Sequence, residues 1–204
     1  MNSARTQAKS ADTRKKILDI ARAVILGKGY AAVGLNEILT RAGVPKGSFY
    51  HYFKSKDAFG RELLEDYFAE YRDKLERFLG DNSVPANRRL LNYFEYWQES
   101  QCNDCQEEKC LVVKLSAEVT DLSEQMRQAL QKGMEQSQQR IARCVSEALD
   151  NGELASAQPA DELARELYSL WLGATLISKV NRSADALHLA MGITRQRLGL
   201  EAVH

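Results

Sequence analysis

Apolar residues in this chain recur every three to four positions almost from end to end, and only three prolines, Pro45, Pro85 and Pro159, interrupt them. A period near 3.6 lines such residues along one face of a helix, whereas a strand needs strict alternation between turns, which no segment supplies. An all-α fold is expected. Periodicity and stop signals predict nine helices, over about 10–27, 35–41, 45–52, 56–79, 85–101, 110–119, 123–150, 160–180 and 184–198. Gly27-Lys28-Gly29 and Gly43 suit left-handed stops. Pro45 fits a first helical turn, where its missing N–H would be unbonded anyway, and Ser55 is a candidate cap for the fourth helix, with Asp57 in the first turn. Residues 1–9 read as a mobile basic arm.

The 204 residues carry 28 Lys+Arg and 28 Asp+Glu, yet the balance is uneven along the chain. Residues 1–60 hold 11 basic and 4 acidic side chains, a net of +7, and residues 61–204 a net of −7. A basic head points to a polyanionic partner, because neutralised phosphates release their condensed counterions. No run approaches the ~18 apolar residues of a membrane span, and the polar start Met1-Asn2-Ser3-Ala4-Arg5 lacks the apolar core of a secretory signal. A cytoplasmic protein with no membrane partner is expected. Two domains are expected from the pattern: 1–55, a basic three-helix head, and 56–204, an acidic helical body.

Within the head, residues 35–53 read as helix, Gly-containing turn, helix. Ile38, Leu39, Val44, Phe49 and Phe53 supply the apolar surface that fixes a steep crossing against Ile17, Ala21 and Val24, while Tyr30 and Tyr52 read as core. Lys46, Gly47, Ser48, Tyr50 and His51 are left facing outward. Lysine and hydroxyl groups bond bases or phosphates in a major groove, and Gly47 lets backbone approach DNA closely. The block Gly43-Val44-Pro45-Lys46-Gly47-Ser48-Phe49-Tyr50-His51-Tyr52-Phe53-Lys54-Ser55-Lys56-Asp57 closely resembles the DNA-binding signature of TetR-family transcriptional regulators. That resemblance implies a homodimer placing its third helices in the major grooves of a palindromic double-stranded operator. By position it gives Lys46, Gly47, Ser48, Tyr50 and His51 the groove and backbone contacts, and Lys56 a phosphate contact. Many relatives carry a Ser or Thr cap that also bonds phosphate where this chain has Gly34-Leu35-Asn36, so Asn36 is the candidate for that role.

Four cysteines occur, Cys102, Cys105, Cys110 and Cys144. The first three fall within nine residues, but a zinc site would lack an obvious fourth ligand, since the histidines are His51, His188 and His204. No metal or cofactor is expected. Asp104, Glu107 and Glu108 disfavour a thiolate at Cys102 or Cys105, whereas Cys110 opens a helix beside Lys109 and one turn before Lys114, where dipole and cations favour it. Cys110 is thus the sensor candidate, with Cys102, Cys105, Lys114 and Lys179 as possible partners. A small buried hydrophobe is the alternative for Cys110 and the preferred reading of Cys144. The run from Cys110 to Met126, with Trp171-Leu172-Gly173-Ala174, resembles the NemR-type branch of the family, which responds to electrophiles and oxidants through a cysteine. Cys110 would then be the modified residue.

The segment Leu170-Trp171-Leu172-Gly173-Ala174-Thr175-Leu176-Ile177 is apolar nearly all round, and a dimer seam shared with the last helix is the economical explanation. Tyr93, Tyr96 and Trp97 line an effector pocket or pack as plain core; helical spacing allows both. A cysteine-dependent enzyme lacks a supporting base and orienter, and no phosphate loop or dinucleotide fingerprint is present. A binding protein without turnover is therefore expected, released by an electrophile, an oxidant or a non-covalent inducer.

Overall fold

A computed structural model describes residues 2–102 and 110–200. Among them, every regular element is helical: α1 (Asn2–Lys28), α2 (Leu35–Ala42), a 3-10 turn (Lys46–Ser48), α3 (Phe49–Tyr52), α4 (Lys56–Leu79), α5 (Ala86–Cys102), α6 (Leu111–Leu122), α7 (Glu124–Asp150), α8 (Ala160–Asn181) and α9 (Asp185–Arg197). The stops act as expected. Gly29 at φ +95° returns its N–H to Ile25 O at 2.7 Å, and Gly43 at φ +67° closes α2 on Leu39 and Thr40. Ser55 Oγ accepts the Ala58 N–H at 3.0 Å and so caps α4.

Three expectations are corrected. Helix α1 begins at Asn2 rather than near Ser10, because residues 3–9 contain no Gly or Pro to stop it. The third helix does not start at Pro45. Pro45 stands extended before it at φ −59°, ψ 140°, and the segment divides into the 3-10 turn and the single turn of α3. At α2 the capping position belongs to Gly34, with no side-chain cap bond, and Asn36 lies exposed inside the first turn.

Two compact units form. The first comprises the chain as far as Phe68 with Lys114–Gln131; the second comprises Ala69–Val113 and the chain from Lys132 onward. In the first, Ile17, Ala21, Val24, Ile38, Leu39, Phe49, Phe53 and Phe59 are buried. Phe49, Phe53 and Phe59 meet edge-on or tilted at centroid distances of 4.9–5.6 Å. In the second, α5 and α9 pack together and α8 packs on α9. Its core is built round Trp171, which stacks on Phe94 at 5.3 Å, and Trp97, with Leu90, Ile141, Cys144, Leu167 and Leu187. Both indoles find hydroxyl acceptors, Trp171 in Thr194 at 2.9 Å and Trp97 in Thr175 at 3.0 Å, so neither N–H is buried unpaired.

Candidate functional site

The outward ridge of the helix-turn-helix is mounted on an aromatic anchor. Phe49 is fully buried, and on the single turn that follows, Tyr50 and His51 project away from it. Lys46, Gly47, Tyr50 and His51 are exposed, Tyr50 by 70%, and Ser48 is half-buried. Phe53 and Tyr30 lie in the core, as expected, whereas Tyr52, also expected there, is only half-buried. Gly47 has no internal reason to be glycine. It does not adopt a left-handed φ, and a Cβ added there meets nothing within 4 Å.

Lys56, in the first turn of α4, is exposed, with its ammonium 5.3 Å from the centre of the Tyr30 ring. The Tyr30 hydroxyl donates to Lys56 O at 3.2 Å. Burial, followed by the charges of Asp57 and Glu118, pushes this phenol up to about 12, so it keeps its proton. Elsewhere in the head some cations are paired. Glu37 accepts from Lys28 at 2.7 Å and from Arg41 at 2.9 Å, chiefly the Lys28 bond lowering its pKa, and Arg14 pairs with Glu62.

Glu118 was not apparent as a head residue from sequence. Its carboxylate accepts the backbone N–H groups of Tyr30, at 3.0 Å, and Ala31. The two partners lie 88 and 87 residues away, and no local pattern announces such a pairing.

In the second unit, Cys110 is the half-buried residue directly before α6, and its N–H points to Gln101 Oε1 at 3.5 Å. Three phenols lie within its electrostatic reach: Tyr71, Tyr93 and Tyr168. Burial raises all three, the charge of a Cys110 thiolate adds to the rise, and the Tyr71 and Tyr93 hydroxyls share a hydrogen bond. All three phenols therefore stay protonated. Cys144 differs. It is fully buried, donates to Ala86 O at 3.5 Å, and burial pushes its thiol up to about 11.

Tyr93 and Trp97 are packed in the aromatic core, and the half-buried Tyr96 accepts from Lys74 Nζ at 2.6 Å. Lys114 is half-buried in α6 and Lys179 is exposed in the last turn of α8. Cys105 and Lys109, and the side chain of Cys102, lie outside the described residues.

Residues 17–63 match the family model for bacterial regulatory proteins of the tetR family, and residues 86–193 match the tetracyclin repressor-like C-terminal domain. The chain belongs to the TetR family. It is 39% identical to the HTH-type transcriptional repressor NemR of Escherichia coli strain K12, over 94% of this chain and 96% of that protein. It is 33% identical to the HTH-type transcriptional repressor DhaR of Mycobacterium sp. strain GP1, over 85% and 86% respectively. The crystal structure of the reduced form of E. coli NemR superimposes with a TM-score of 0.88 at 37% identity, covering 94% of this chain and all of that one. Like those TetR-family regulators, the chain couples a helix-turn-helix head to a helical C-terminal domain. Among the described residues no helix is long and apolar enough to cross a membrane.

Proposed function

We propose that this protein is a cytoplasmic repressor that binds palindromic operator DNA as a homodimer and is released when an electrophile or oxidant modifies Cys110. The observation that carries the DNA half is the exposed ridge from Lys46 to His51, mounted on buried Phe49, with a glycine at 47 that the protein's own packing does not require. A backbone that must approach DNA closely accounts for that glycine. Asn36 and Lys56, exposed in the first turns of α2 and α4, add phosphate contacts at helix N-termini, where anions are favoured.

For the sensor half, Cys110 stands at a helix start, half-buried and so open to small reagents, unlike the enclosed Cys144. Lys114, Lys179, Cys102 and Cys105 remain its candidate partners in stabilising or resolving the modified thiol. Likeness to a repressor solved in a form described as reduced supports a redox reading. A non-covalent inducer bound near Tyr93, Tyr96 and Trp97 is the second reading, favoured by the half-buried position of Tyr96.

Dimerisation is supported by an apolar face left uncovered on the last two helices: Leu176, Ile177 and Val180 of α8 are 51–72% exposed, and Leu189 of α9 is 67% exposed. Binding to the DNA upstream of its own gene, titrated against salt, tests the proposal. Lys56→Ala should weaken all sequences and flatten the salt slope, while Lys46→Ala should also relax base preference. Equal losses on every sequence from both variants would refute these roles.

A further inference from the structure

Glu118 grips the turn that follows α1. Its two carboxylate oxygens each take one backbone N–H, from Tyr30 and from Ala31, an arrangement in which successive amide dipoles converge on one anion. The turn is shaped to admit it. A Cβ built on Gly29, itself at φ +95°, would sit 3.2 Å from Glu118 Oε2. Tyr30 then extends the contact to α4, its hydroxyl on Lys56 O and its ring against the Lys56 ammonium. One turn along α4, Gly60 leaves room for this: a Cβ there would collide with Met126 Sδ and stand 2.7 Å from the Tyr30 hydroxyl.

We propose that Glu118 is a positioning residue for operator binding: its hold on the Tyr30 and Ala31 amides fixes Tyr30, and through Tyr30 it fixes Lys56 and the start of α4 where they meet phosphate. The inference rests on the reading of the head as the DNA interface. A surface anion with no such role gives the opposite sign, because removing negative charge near phosphates strengthens binding. That opposition makes the sign of the effect informative.

The test measures affinity for the DNA upstream of the protein's own gene, together with amide exchange at Tyr30 and Ala31, for the wild type, Glu118→Ala, Glu118→Gln, Tyr30→Phe, Lys56→Ala and the double variant of Glu118→Ala with Lys56→Ala. Glu118→Ala should speed exchange at both amides and weaken binding on the order of tenfold, the scale of a lost charge-assisted hydrogen bond. Glu118→Gln, with one acceptor oxygen left, should fall between it and wild type. The double variant should bind no more weakly than Lys56→Ala alone. Should Glu118→Ala fail to fold, Glu118→Gln and Tyr30→Phe carry the same expectation of weaker binding. Unchanged or tighter binding by the Glu118 variants, or strictly additive losses in the double variant, would overturn the proposal. If Lys46→Ala and Lys56→Ala are themselves without effect, the DNA-face reading fails instead, and unchanged exchange at Tyr30 and Ala31 would overturn the grip independently of DNA.

Discussion

Cys144 and Gly47 stand at opposite ends of the packing scale, one fully enclosed and the other with open space around a Cβ. Burial holds the Cys144 thiol at about 11, against 9.0 for an ordinary thiol. A raised pKa means that the folded chain keeps a proton the unfolded chain has already lost. The resulting stability is complete below about pH 9 and disappears as pH rises to about 11. Cys144→Ala should flatten the fall of Tm across that window, and parallel curves for the two proteins would contradict the assignment. Thiol alkylation at pH 8 should likewise spare Cys144 until the chain unfolds. Gly47→Ala should leave Tm within about a degree or two, since surface changes without packing or strain cost less than about 0.5 kcal/mol. Its operator affinity should nevertheless drop, read by titration; unchanged affinity would remove Gly47 from the interface.

Helix boundaries were legible in the sequence because their causes are local. Ser55, Gly29 and Gly43 act through atoms three to five residues away, so the signals that predict them are the contacts that form. Ser55→Ala should therefore cost about 1 kcal/mol, visible as a lower midpoint in urea. The end of α8 is built differently: Arg182 adopts φ +52°, a left-handed conformation costly for a side chain with a Cβ. Arg182→Gly should be neutral to stabilising, by up to about 1 kcal/mol, and a marked loss would show that the arginine side chain holds the turn. Less legible was the third helix, where the run from Pro45 to Tyr52 has helical spacing but the chain winds as a 3-10 turn before α3. Nor does spacing separate core from pocket. Tyr93 and Trp97 pack beside Phe94 while Tyr96, on the same α5, is half-buried against Lys74, although these two tyrosines and Trp97 read alike in sequence. Glu118 was invisible because its partners are remote in the chain and are backbone amides, which carry no sequence signature.

For the whole molecule, the sequence announced its functional class through one dense block, residues 43–57, and it carries an α8 with apolar side chains left exposed, the face the proposed dimer would cover. Leu189→Glu, on a face already 67% exposed, should leave the monomer folded yet shift sedimentation toward monomer and weaken operator binding. A variant that remains dimeric would place the seam elsewhere. The regulatory claim reduces to a population shift: a tenfold loss of DNA affinity needs about 1.4 kcal/mol of difference between the modified and unmodified states, within the usual range of allosteric coupling. The most direct measurement is affinity for the DNA upstream of the protein's own gene, before and after a mild electrophile, for wild type and Cys110→Ser. Release of the wild type with retention of the variant is the predicted result; equal release of both, or of neither, would contradict Cys110 as the sensor.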